Sequence, residues 1–334
     1  MRMGAVLAKA RADGRFRLSQ EQIILIVVAS LFVVFSVLLD GFFTADNLLN
    51  LLRSVSSLGI LSVAMAVVVI ARGMDLSLVA SMGVSTAIAI QLMRSELSTP
   101  EALLIGLGIV LLLGAINGFL IAFVEIPALF ATLASGLLIY GVARTLVLDG
   151  LIVELPPDRE FVRWLGQGVV FGIPAPIVIF AVVALVAHFL LSRTRTGRFI
   201  YAHGDNAGAA ALTGIPVRPL TLIEYMIAGA IGFCGGLVMA GSVGGFNTQI
   251  IDGSLIYDVL LVVVVGGISL VGGRGGVLSV LAGTALIGVM LNGMTILNMN
   301  THEKDIVKGL ILLAALVLDN RLHPRDEETV RQGD

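Results

Sequence analysis

No lysine follows a glycine anywhere in this chain, and its lysines are Lys9, Lys304 and Lys308 alone. A Gly-x-x-x-x-Gly-Lys-Ser/Thr loop needs that lysine to reach nucleotide phosphates, so ATP hydrolysis by this route is excluded for the polypeptide. Cysteine is reduced to Cys234, which lies in an apolar run. An internal disulfide is therefore impossible, and the residue reads as a small member of the core. His188, His203, His302 and His323 fall in separate segments without metal-ligand spacing. No carboxylate pair or Ser-His-Asp arrangement stands out, which argues against a membrane enzyme. Charge is scarce too: Asp, Glu, Lys and Arg make up 13% of the residues, against roughly 25% in soluble domains. The formal net charge of −2 is itself uninformative about nucleic-acid or acidic partners; where the arginines sit matters more, and of a chain this apolar no nucleic-acid partner is expected.

What fills the chain is apolar: 57% of its 334 residues, at a mean hydropathy of +1.01. The amino-terminal tail carries Arg2, Lys9, Arg11, Arg15 and Arg17 against Asp13, and an apolar run from Ile23 to Leu39 follows. No small-residue cleavage site precedes Asp40-Gly-Phe-Phe, so the run reads as a retained span rather than a secretory leader. A window of about twenty residues gives about ten spans. Their cores are 23–39, 57–71, 76–93, 102–124, 127–148, 169–191, 220–243, 256–272, 277–297 and 306–319.

The expected fold is an all-α integral membrane protein with cytoplasmic termini. Counted from a cytoplasmic start, Arg72, Arg274 and a loop with Arg193, Arg195, Arg198 and Arg218 fall inside, as cytoplasmic arginine enrichment requires. The 149–168 loop, with Asp149, Glu154, Asp158 and Glu160 against Arg159 and Arg163, falls outside. The organisation expected is a cytoplasmic basic tail over 1–20, a transmembrane domain over 21–319 with a cytoplasmic loop over 192–219, and a cytoplasmic tail over 320–334.

Gly114-Ala-Ile-Asn117-Gly118 in the fourth span is similar to Gly288-Val-Met-Leu-Asn292-Gly293 in the ninth. A shift of five spans reverses orientation, so the pair suggests two five-helix halves of inverted topology. Glycine-rich breaks occur at Arg72-Gly-Met-Asp75-Leu-Ser77 and Gly266-Gly-Ile-Ser-Leu-Val-Gly-Gly-Arg-Gly-Gly276. Irregular backbone at membrane depth is tolerated only where protein or a cavity satisfies it, which makes Asp75, Ser77, Asn117 and Asn292 candidates for a translocation path. A carboxylate at the bilayer centre costs about 2.5–3.5 kcal/mol, and Asp75 has the plainer alternative of pairing with Arg72 at the interface. Arg144, Asp258 and Lys308 read as side chains reaching outward from span ends.

The 192–219 loop exceeds the about 12–15 residues beyond which loops are functional or disordered. Asp205 or Asn206 can cap a helix, Ala207 to Thr213 are mostly good helix formers, and Gly214 with Pro216 ends the run. Two turns, about 10 Å long, would present a low ridge of small side chains with Leu212 and Ile215 to a soluble partner.

Thr196-Gly-Arg-Phe-Ile-Tyr-Ala-His-Gly-Asp-Asn-Ala-Gly-Ala-Ala-Ala-Leu-Thr-Gly-Ile215 resembles the coupling loop of permease subunits of bacterial ABC importers of the ribose, xylose and galactose type. The likeness extends, in order, through Gly73-Met-Asp-Leu-Ser77, Asn117-Gly118, Pro127-Ala-Leu-Phe-Ala-Thr-Leu133, the 266–276 glycines, Asn292-Gly293 and Val307-Lys-Gly-Leu310. It implies a ten-span inner-membrane permease paired with a second permease subunit, identical or not. Two cytoplasmic ATP-binding subunits would drive it, ATP–Mg being bound there and no cofactor on this chain. A periplasmic solute-binding protein would deliver a sugar or polyol.

Asp205, Asn206, Ala209, Ala210, Leu212 and Gly214 are then the coupling candidates. Departures bear on coupling and specificity. Leu78-Val79 replace a glycine after Asp-Leu-Ser, Ala134 replaces a glycine after Thr-Leu, and the loop lacks the family's usual charges. His302-Glu303 replace an aromatic pair. Two other readings are a branched-chain amino-acid permease and an ion-driven secondary transporter, for which only Asp75 offers a mid-membrane carboxylate.

Overall fold

The computed structural model describes residues 20–322 apart from 96 and 149. The expected tails over 1–20 and 320–334 thus lie almost wholly outside the described residues, as do Asp149 and His323. Thirteen α-helices occur among the described residues. In chain order they begin with α1 (Gln20–Leu38), α2 (Ala45–Ile70), α3 (Leu78–Arg94) and α4 (Thr99–Ala122). Helix α5 (Ala128–Val142) ends in a wider turn over Ala143–Val147. A short α6 (Glu160–Gln167), α7 (Ala175–Arg193), α8 (Arg195–Asp205) and α9 (Ala207–Leu212) follow. The last four are α10 (Val217–Val243), α11 (Leu255–Val265), α12 (Val277–Ile296) and α13 (Thr301–Leu322).

Seven of these are long and apolar enough to cross a membrane, and α3 and α11 are shorter apolar helices. Each of the ten expected apolar cores coincides with one helix. The protein is thus an all-α multi-pass membrane protein, with small exceptions. Strands β1 (Ile152–Glu154) and β4 (Gly245–Asn247) pair antiparallel, Val153 opposite Phe246, and β2 (Val169–Val170) and β3 (Ile173–Pro174) form a hairpin.

Local chemistry sets the helix ends. Ser98 and Glu101 form a capping box at α4, in which Ser98 N donates to Glu101 Oε2 at 3.1 Å, so free helix-end groups are satisfied locally. Thr44 caps α2 through Asn47 N. The apolar run at 169–191 becomes a helix only from Ala175, because a turn through Gly172 (φ +83°) folds residues 169–174 into the hairpin. Similarly, the run at 256–272 is helical only to Val265. Gly267, Gly272, Gly273 and Gly275 then take positive φ, which only glycine adopts freely.

Helices α2 and α10 form the centre. Helix α10 packs on α4, α2, α6 and α3, while α2 packs also on α12, α7 and α11. Helix α3 packs on α4 and α5, as α11 does on α12 and α13. Large apolar side chains such as Val37, Leu104, Leu137, Leu185 and Leu310 are exposed on the outer helices, as a lipid-facing surface requires. Cys234 belongs to that outer surface: it is exposed on α10 rather than buried in the core.

Candidate functional site

A cavity of 1280 Å³ opens at one end of the bundle, larger than the about 300–1,000 Å³ of ordinary ligand pockets. It is lined by the first half of α2, the last turn of α10, the start of α11 and the end of α12, with β1 and β4 at its side. Asn292 stands in its wall, facing Asn47. The two amides exchange hydrogen bonds, Asn47 Nδ2 to Asn292 Oδ1 at 3.0 Å and Asn292 Nδ2 to Asn47 Oδ1 at 2.9 Å. Asp258 also lines the cavity. Expected to reach outward from a span end, it is instead paired within the protein: Lys308 Nζ lies 2.8 Å from Asp258 Oδ1, 3.0 Å from Asp305 Oδ1 and 3.1 Å from Ser254 Oγ. The two helices α11 and α13 thus share a cation that a single-span reading could not see.

Asp75, Ser77 and Asn117 do not line this cavity. They form a polar knot where the chain crosses from α2 to α3. Asp75 is buried, and its Oδ1 accepts from Ser77 N at 3.0 Å and Ser77 Oγ at 2.6 Å. Arg72 is exposed and makes no ion pair to Asp75 among the described residues. The interfacial Asp75–Arg72 pair is therefore replaced by contacts made inside the protein. Asn117 Nδ2, from α4, donates to Ser77 Oγ at 2.7 Å, and Asn117 Oδ1 is buried without a hydrogen-bond partner among the described residues. Thr132 Oγ1, from α5, accepts from Leu76 N at 3.1 Å, and Tyr225 Oη, from α10, donates to Met74 O at 3.2 Å. Helices α5 and α10 thus satisfy the broken backbone, so the glycine-marked interruption carries no unpaired main chain at the Met74 carbonyl or the Leu76 amide. Thr132 is legible only as a member of the Pro127–Leu133 motif, and Tyr225 carries no signal in a single sequence beyond its hydroxyl in apolar surroundings.

At the opposite end the 192–219 segment holds two helices instead of one. Thr194 caps α8, accepting from Gly197 N at 3.1 Å. Of the two expected caps for α9, Asn206 acts and Asp205 does not: Asn206 Oδ1 accepts from Ala209 N at 2.9 Å, while Asp205 ends α8. Gly214 (φ +88°) turns the chain out of α9. Ala209 is exposed, Ala210 is buried and Leu212 stands 91% exposed at the tip.

Helix α8, read from sequence as plain loop, fastens α9 to the bundle. Gly204 lies against Ile70 O at the end of α2 and Gly273 N, and Gly273 N donates to that same carbonyl at 2.8 Å. Tyr201 Oη donates to Gly275 O at 2.8 Å, and burial raises the pKa of its phenol, so it stays a donor through neutral pH. His203 Nδ1 meets Glu224 Oε1 of α10 at 3.0 Å, the carboxylate being 1% exposed. Glu224 was the overlooked residue: a lone carboxylate inside the 220–243 run is itself the signal of a buried partner.

Long apolar helices around a large cavity, with a capped helix projecting at the far end, form the architecture of a multi-pass membrane permease. Residues 47–316 match the family described as branched-chain amino acid transport system / permease component, and the chain belongs to that family. It is a transporter component rather than a catalyst. The ribose import permease protein RbsC of Haemophilus influenzae is 34% identical over 316 residues, covering 92% of this chain and 95% of that protein. The protein of the same name in Escherichia coli K12 is 31% identical over 302 residues, covering 90% and 94%. The L-arabinose transport system permease protein AraH of Escherichia coli K12 is 32% identical over 300 residues, covering 88% and 89%. No solved structure matches the chain significantly.

Proposed function

We propose that the chain is the permease subunit of a binding-protein-dependent ABC importer that carries a monosaccharide or related polyol across the bacterial inner membrane. One observation carries the reading: α2 and α10 each line the cavity with one end and hold the α8–α9 element with the other. A push on α9 is thereby delivered to the two helices that form the cavity wall. Asp205, Asn206, Ala209, Ala210, Leu212 and Gly214 are the proposed coupling element, and its almost uncharged surface suits contact by shape with a cytoplasmic ATP-binding subunit. ATP–Mg binds that subunit.

The lining supports a polyhydroxyl cargo. Asn47, Asn50, Gln167, Asn247 and Asn292 contribute amides, each able to donate and accept, as hydroxyls demand. The ribose and arabinose names of the relatives favour a sugar over a branched-chain amino acid. The carboxylate that the sequence offered to an ion-driven mechanism, Asp75, is bonded within the knot and away from the cavity, which weakens that reading. Asp75, Ser77 and Asn117 keep a place in the path only as its inner boundary, where the unpaired Asn117 Oδ1 is available.

Packing supports ten spans in two inverted halves. The first two helices of each half match in length, α1 and α7 at 19 residues each, α2 and α10 at 26 and 27, whereas the later pairs do not. The second helix of each half packs on the fourth of the other, α2 on α12 and α10 on α4. The start of α1, where Glu21 accepts from Ser279 Oγ at 2.9 Å, and the far end of α13 belong to the α8–α9 side, in keeping with cytoplasmic termini. The cavity then opens toward the periplasm and its solute-binding protein, and a second permease subunit completes the membrane unit.

Uptake into proteoliposomes holding the permease, its ATPase and its receptor tests the reading. Uptake is expected to vanish when the ATPase's catalytic residue is replaced, and survival of uptake would overturn it in favour of an ion-driven carrier. Calorimetry of the receptor should give binding to a pentose, hexose or polyol. Binding only to leucine-like amino acids would sink the cargo assignment.

A further inference from the structure

The segment between α5 and α7 holds a helix whose side chains fall into three stripes. Val162 and Gly166 of α6 are buried against α10, Glu160, Arg163 and Gln167 are polar, and Phe161 and Trp164 are apolar and exposed, at 54% and 43%. Depth is fixed by the buried stripe. A Cβ at Gly166 would collide with Ser242 N, and one at Gly241 with Val162 O, so α6 lies backbone to backbone on the last turn of α10, a membrane-crossing helix that ends at Val243. The indole of Trp164 is seated on Gly168, where a Cβ would lie 2.6 Å from Trp164 Nε1. Beyond it, the β2–β3 turn holds Phe171 at φ +51° with its side chain wholly exposed, flanked by exposed Val169 and Ile173. A bulky residue in the left-handed region is a strained outlier, and nothing among the described residues covers this one. The hairpin runs straight into α7, whose Val182, Leu185, Val186 and Phe189 belong to the lipid-facing surface.

We infer that α6 and the β2–β3 hairpin form an interfacial anchor, with Phe161, Trp164 and Phe171 seated at the boundary between lipid headgroups and acyl chains. The occupant is lipid because the patch continues the lipid-facing surface at the level where a spanning helix ends, and tryptophan favours that level. The anchor holds α6, and with it Gln167 at the cavity wall, at a fixed height. The inference rests on family membership and not on the cargo.

Trp164 is the single tryptophan of the chain, so its fluorescence reports the anchor directly. The full-length permease in nanodiscs is to be compared in lipids brominated near the headgroup, lipids brominated deep in the acyl chain, and unbrominated lipids with aqueous iodide. Strong loss of emission with the shallow bromines, with weaker loss to deep bromines and to iodide, is expected. Phe171→Ser should reduce the shallow quenching. Iodide quenching without bromolipid quenching would overturn the inference, as would dominant quenching by deep bromines. Protection from iodide that appears only when the solute-binding protein is added would assign the patch to a protein contact and overturn it equally. The unsubstituted protein alone decides between these outcomes if Phe171→Ser fails to fold.

Discussion

Replacing Gly204 with alanine tests whether α8 transmits force or merely fills the loop. In an isolated helix the change would stabilise by about 1 kcal/mol. Here the new methyl would strike Ile70 O and Gly273 N, both main-chain atoms that cannot rotate away. Overpacking of this kind costs about 1–3 kcal/mol, and parting the strands of contact removes the Gly273 N–Ile70 O bond, worth about 1 kcal/mol. The net expectation for Gly204→Ala is a loss of about 1–3 kcal/mol.

Gly208→Ala on α9 is the internal control. Its Cβ would meet only Asn206 Oδ1 at 3.4 Å, so the helix-propensity gain of about 1 kcal/mol should survive. Thermal unfolding of the purified permease should place Gly204→Ala several degrees below the unsubstituted protein and Gly208→Ala at or above it. ATP-driven uptake, assayed well below either transition, should fall sharply for Gly204→Ala, because α9 would no longer be braced against α2. Equal melting temperatures and equal uptake for the two variants would refute the bracing role.

Leu212→Asp alters a tip residue 91% exposed, so stability should shift by no more than about 0.5 kcal/mol while ATP-dependent uptake is lost; unchanged uptake would remove Leu212 from the docking surface. Thr132→Val keeps the shape but leaves Leu76 N without its acceptor, an expected loss of about 1–3 kcal/mol readable by thermal unfolding. Asn292→Ala should raise the KM for uptake with little change in expression, since Asn47 keeps a hydrogen bond to Phe42 O; an unaltered KM would separate the amide pair from the cargo. Glu224→Leu strands His203 in a half-buried position and should destabilise by about 1–3 kcal/mol, whereas Glu224→Gln, which can still bond the ring, should be closer to neutral.

Hydropathy located every major helix because lipid exposure and burial both demand apolar residues, and each apolar core has its helix. The same signal misjudged 169–174 and 266–272, where apolar side chains ride on a hairpin and a glycine loop. Composition does not encode φ, so only the glycines hinted at either break. Asn206 as cap and Gly214 as terminator of α9 were legible because capping is local chemistry. Helix α8 was not, since its strength comes from contacts with Ile70, Gly273, Gly275 and Glu224, all remote in sequence. Of the four path candidates, the sequence could group Asn117 with Asn292 by their shared Asn-Gly context. It could not reveal that one closes the knot while the other faces the cavity beside Asn47.

The packing of early helices on late ones bears on how the protein is made. Helix α2 is completed by α12, and the Asn47–Asn292 contact spans 245 residues of chain. During synthesis α2, with its hydroxyls and amides, must therefore wait in the membrane until almost the whole polypeptide has emerged. A ribosome that stalls before residue 277 leaves a product whose central helix α2 has an unfilled side.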